Sequence, residues 1–68
     1  MESIAKVIEI NAASESGIED AVRNGLVRAA ATLDGIQGAW ISDINVRTDP
    51  SGRVTEWRVR LRVSFLLK

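Results

Sequence analysis

The sequence predicts an α+β domain built in the order strand, helix, strand, strand, and three stretches carry that expectation. From Trp57 to Phe65 the chain alternates without a break, with Trp57, Val59, Leu61, Val63 and Phe65 on one side and Arg58, Arg60, Arg62 and Ser64 on the other. Side chains of a strand point to opposite faces with period two, so this is a half-buried β-strand. Ile18, Val22, Leu26, Ala29 and Leu33 recur at helical spacing and form one apolar stripe. Between them and the long strand, Asp49-Pro50-Ser51-Gly52 is a β-turn signal, with Asp first, Pro second and Gly fourth.

The first strand is expected from Ser3 to Asn11, where Ile4, Lys6, Ile8 and Ile10 alternate with Ala5, Val7 and Glu9. Ser14 or Ser16 is placed to cap the helix that follows, and Ser16 with Glu19 has the spacing of a capping box. Glu15, Glu19 and Asp20 put negative charge at the favourable end of the helix dipole. The helix is expected to reach about Leu33, where Asp34-Gly35 ends it. Ala29-Ala30-Ala31 broadens the stripe with small side chains, which allow close approach to a sheet or to another helix. The second strand is expected from near Gln37 to about Thr48. Ala39 and Ile41 share one parity and Ile44 and Val46 the other, so a one-residue bulge near Ser42-Asp43 is needed to bring both pairs to one face. The turn at Asp49 then makes the second and third strands an antiparallel hairpin.

Sixty-eight residues allow a single domain. A chain this short buries only about 60% of the surface its unfolded form exposes. Disulfides are excluded by the absence of cysteine, and with no histidine either, a structural zinc site is not expected. One short helix cannot cover both faces of three strands. The leftover apolar area predicts self-association. No signal peptide or membrane-length apolar run is visible, so the expected location is the cytoplasm. Lacking Cys, His and Tyr, the chain has no thiol nucleophile, imidazole base or phenolic acid, and nothing arranges its remaining polar groups for catalysis. An enzyme is not expected.

Net charge is zero, but six acidic and three basic side chains precede Gly35, whereas three acidic and six basic ones follow from it. The Arg58, Arg60, Arg62 row is too narrow for the broad basic surface of a nucleic-acid binder. Pairing with Glu9, Asp43 or Glu56 from neighbouring strands or subunits is its expected role. Trp57 belongs to the apolar face. Trp40, by normal alternation, points away from Ala39 and Ile41, either into a subunit contact or as a stacking platform for a flat ligand. Asp43 and Glu56 are hard oxygen donors suited to calcium or magnesium, without the spacing of an EF-hand.

Over essentially its whole length the chain resembles the dodecins. The resemblance rests on Lys6-Val-Ile-Glu-Ile, the helix entry at Ser14, the run Ala21-Val-Arg-Asn-Gly-Leu-Val-Arg-Ala with Thr32-Leu33, and the ending Arg58-Val-Arg-Leu-Arg-Val-Ser-Phe. It implies a β-α-β-β protomer whose three-stranded antiparallel sheet wraps one helix, twelve copies forming a hollow homododecamer. It also implies a non-enzymatic role in binding and storing a flavin, riboflavin or FMN. Flavin-binding members stack a tryptophan on the flavin ring just after the helix and contact its edge with a glutamine early in the last strand. Here those positions hold Gly38 and Arg58, with Trp40 two residues beyond Gly38 on the same face. Trp40, Gly38 and Arg58 are therefore the expected ligand-binding residues. Some dodecin-like proteins are associated with calcium, and Asp43 and Glu56 are the expected ligands in that alternative, a flavin-free shell that binds calcium or another ion or is purely structural.

Overall fold

The computed structural model describes residues 4–67. Strand β1 (Ala5–Ser14) is followed by helix α1 (Ile18–Ala30), strand β2 (Ile36–Thr48) and strand β3 (Val54–Leu66). The sheet is antiparallel throughout, in the order β1-β3-β2, so the long alternating strand is its centre. The predicted element order and hairpin are those observed.

The alternation of β3 explains the core. Val59, Leu61, Val63 and Phe65 are buried beneath α1, and Trp57 is half-buried at the end of the same row. Ile8, Ile10 and Ala12 of β1 join them from one side, and α1 contributes Ile18, Ala21, Val22 and Leu26. The small residues of α1 set the spacing, since Ala21, Gly25 and Ala29 are its buried positions. A Cβ on Gly25 would lie 2.9 Å from the Cβ of Ala12 and 3.3 Å from Leu61 Cδ1.

The helix entry differs from the capping box expected at Ser16. Gly17 occupies the N-cap position, and among the described residues no side-chain cap bond is made there. Ser14 Oγ instead donates to Asp20 Oδ2 (2.6 Å) and accepts from Ser16 N–H (2.9 Å). Glu19 turns outward to Arg23 (2.9 Å). The regular helix ends at Ala30. Ala31 N–H divides between the carbonyls of Val27 and Arg28, and Leu33 N–H still reaches Ala29 O at 2.9 Å, so Leu33 lies on the tightened turn beyond the helix. Gly35, at φ 73°, then reverses the chain. Strand β1 runs three residues past the expected end at Asn11, because β3 is long enough to pair Ala12, Ala13 and Ser14 with Val59, Arg58 and Trp57. The expected start at Ser3 lies outside the described residues.

The bulge expected near Ser42 is present. Ile41 pairs with Leu61 and Asp43 with Arg60, leaving Ser42 as the extra residue, and Ser42 Oγ donates to Arg60 O (3.2 Å). A second bulge leaves Thr55 unpaired on β3, where its hydroxyl donates to Arg47 O (3.3 Å). In both places a hydroxyl satisfies a carbonyl across the disrupted ladder. At the turn, Asp49 Oδ1 accepts from Ser51 N–H (2.9 Å), Ser51 Oγ (2.6 Å) and Arg53 N–H (3.1 Å), while Gly52 takes φ 88°. The Ser51 hydroxyl first, and then Arg53 N–H, hold the Asp49 carboxyl below its ordinary pKa.

Helix α1 packs on β1 and β3, whereas β2 extends beyond its cover. Through the Ser42 bulge, Ala39, Ile41, Ile44 and Val46 share the helix-side face, opposite Val63, Leu61, Val59 and Trp57. Ile41, Ile44 and Val46 are nonetheless 47%, 53% and 41% exposed. The protomer measures 55 × 19 × 14 Å with a radius of gyration of 14.2 Å. A compact chain of this length would have a radius of about 11 Å.

Candidate functional site

The face of the sheet away from the helix is organised in cross-strand rows. Glu9, Arg62 and Trp40 stand side by side across β1, β3 and β2; the next rows are Asn11, Arg60 and Asp43, then Ala13, Arg58 and Asn45. In the other direction lie Val7, Ser64 and Gly38. This face is polar at its centre, with one large aromatic ring upon it.

Trp40 is 60% exposed. Being opposite Arg62, it lies on the outer face as its parity predicts. Gly38 is next on the same face, and a Cβ there would meet nothing within 4 Å, so the surface beside Trp40 is open. Val7, Trp40, Ser42 and Arg62 line a depression of about 390 Å³. That volume falls within the range of small-molecule sites, and a planar ring system fits the exposed indole as a stacking partner.

Arg58, the third expected ligand-binding residue, is not brought to Trp40 within one chain. It lies four residues before Arg62 on β3, about 13 Å along an extended strand. It pairs across with Asn45, and its Nε is 3.7 Å from Glu56 Oε1. The arginine beside Trp40 is Arg62, which the sequence reading treats only as one member of the row. Counting from the turn would have found it, since Trp40 is eight residues before Thr48 and Arg62 eight after Val54, and Thr48 and Val54 face each other. The bulges at Ser42 and Thr55 cancel.

The expected ion pairs form in part. Arg60 Nε is 3.7 Å from Glu9 Oε1, and Glu56 is shared by Arg58 (3.7 Å) and Arg47 (3.8 Å). Asp43 takes no arginine of the described residues, its Oδ2 accepting instead from the Asn45 amide at 3.5 Å. Asp43 and Glu56, the expected metal ligands, are not gathered in one chain. Asp43 pairs with Arg60 and Glu56 with Arg47, again about four strand residues apart. Among the described residues no three carboxylate, histidine or cysteine side chains cluster as a metal site.

The Dodecin family model matches residues 4–68. The chain belongs to the dodecin family. Among relatives, it is 32% identical over 66 residues to the calcium dodecin of Mycobacterium tuberculosis, covering 97% of this chain and 92% of that protein. The solved structure of dodecin from Streptomyces davaonensis superposes with a TM-score of 0.93 at 26% identity, covering 100% and 98% of the two chains. The crystal structure of a calcium-chelating calcium dodecin from M. tuberculosis superposes at 0.82 with 30% identity, covering 97% and 93%. This dodecin thus has the β-α-β-β fold of its relatives, three antiparallel strands and one helix. No helix among the described residues is long and apolar enough to cross a membrane.

Proposed function

We propose that this dodecin is a non-enzymatic, cytoplasmic shell subunit that assembles as a homododecamer and sequesters a flavin, riboflavin or FMN, or a related flat anionic molecule, on the outer face of its sheet. The observation that carries the reading is Trp40, an indole 60% exposed with the open surface of Gly38 beside it. A ring the size of indole is seldom left in water without a partner, and stacking on a planar ligand is worth roughly 1–3 kcal/mol per ring. The same exposure lets a neighbouring copy bring a second surface to the ligand. Self-association is supported by the uncovered Ile41, Ile44 and Val46 strip and by the elongated protomer. Titrating riboflavin or FMN with the purified protein tests the ligand: quenching of flavin fluorescence is expected, and its absence at protein concentrations well above micromolar would refute the reading. Light scattering is expected to show an assembly many times the 7.4 kDa chain, and a stable monomer would refute the shell.

A calcium-binding shell is the second reading, favoured by the 32% identity to a calcium dodecin. Asp43 and Glu56, exposed enough to meet other copies, are its candidate ligands at subunit contacts. EDTA is then expected to lower the melting temperature and added calcium to restore it. A melting temperature indifferent to both excludes this reading.

A further inference from the structure

We infer that Arg62 makes the Trp40 site selective for ligands that join a flat aromatic ring to a phosphate or other anion. The inference rests on the reading of Trp40 as a flavin-stacking surface and adds the residue that reads the charge of the ligand. Three observations carry it.

Arg62 directly faces Trp40 across the β2–β3 ladder, and the two line the same depression with Ser42 and Val7. Residues directly opposite in an antiparallel pair have Cβ atoms about 4.5–5.5 Å apart, so a ligand stacked on the indole comes within reach of the guanidinium. Arg62 is also the member of its row without an ion-pair partner among the described residues. Arg58 is committed to Glu56, and Arg60 to Glu9. Glu9 is the carboxylate opposite Arg62 in the β1–β3 register, yet its Oε1 lies 3.7 Å from Arg60 Nε. The carboxylate opposite Arg62 is thus drawn one row away. Ser42 supplies the third observation. As the bulge residue it stands at the depression with its hydroxyl bonded to Arg60 O, so its oxygen keeps acceptor capacity there but lends its proton elsewhere. Arg62 is the charged residue among those lining the depression, and a guanidinium offers a planar fork matched to phosphate oxygens.

FMN and riboflavin share one ring system and differ by a phosphate, which makes them the discriminating pair. Quenching titrations with both are expected to give FMN the lower Kd, by about fivefold, the size of an exposed ion pair. In Arg62→Gln the ratio is expected to fall to about one, with riboflavin affinity unchanged. Arg60→Gln is expected to keep the ratio, and raising salt is expected to shrink it in the unmodified protein. Circular dichroism and light scattering establish that each variant keeps its fold and assembly. If both flavins bind equally well, or if Arg62→Gln keeps the preference for FMN, the role of Arg62 is overturned while the flavin site stands. Failure of both flavins to bind overturns the flavin site and this inference together.

Discussion

Gly25 offers a test in which two ordinary rules of stability point in opposite directions. Glycine inside a helix is about 0.8–1.0 kcal/mol less favourable than alanine, so Gly25→Ala should stabilise the chain if helix propensity decides. The added methyl would sit 2.9 Å from the Cβ of Ala12, 3.3 Å from Leu61 Cδ1 and 3.6 Å from Ile10 Cδ1. The leucine and isoleucine methyls can rotate aside. The Ala12 Cβ is fixed to the backbone of β1, and relief there requires the helix and strand to separate. Overpacking of this kind costs about 1–3 kcal/mol. The balance predicts a net destabilisation of about 1 kcal/mol, or a fall in melting temperature of roughly 4–8 °C for a domain of this size. Combining Ala12→Gly with Gly25→Ala removes the short contact, and the two changes are expected to couple favourably by about 1 kcal/mol or more. The assay is thermal or urea unfolding of the two single variants and the double variant at one protein concentration, since assembly links stability to concentration. A stabilised Gly25→Ala, or a double variant equal to the sum of the singles, would refute the packing argument.

Two further changes probe the hairpin and the uncovered strip. The Asp49 carboxyl is held below its ordinary pKa by its hydrogen bonds, so its contribution is present above the unfolded-state value and is lost as pH falls below about 4. Asp49→Asn keeps an oxygen acceptor for Ser51 N–H but does not titrate, and its melting temperature is expected to fall less steeply than that of the unmodified protein over this acid range; parallel curves would exclude the effect. Ile44→Lys places a charge in the apolar strip of β2, where Ile44 is 53% exposed in the single chain. If the strip is buried between copies, each copy loses about 1.5–3 kcal/mol of burial and gains an unpaired charge at the contact. Light scattering is expected to show dissociation, with circular dichroism retaining the folded signal, and an unchanged assembly would remove this strip from the interface.

Most of the fold was legible because its central element is also its most regular one. Unbroken alternation from Trp57 to Phe65 identifies β3, and the Asp49–Gly52 turn supplies its partner β2. What could not be read were outcomes of competition between equally plausible local bonds. Ser14 and Ser16 both look like helix caps, but Ser14 Oγ finds the Asp20 carboxylate at 2.6 Å, and Gly17 is left to begin the helix uncapped. The far end of β1 depended on a partner, because Ala12, Ala13 and Ser14 extend only by pairing with β3.

The site was legible in its parity but not in its register. Period two alone puts Trp40 and Gly38 on the outer face, and the structure agrees. It does not say which arginine meets them. Arg58, Arg60 and Arg62 have the same residue type, parity and strand, and alignment to a family contact position selects Arg58 without reference to space. Register separates them, because Trp40 faces Arg62 and Asn45 faces Arg58. Ion pairing then separates them again. Glu56 lies two residues before Arg58 on the same face and ties it down, and Glu9 turns to Arg60. The guanidinium left beside the exposed indole is Arg62, singled out by what its neighbours pair with rather than by any signal of its own.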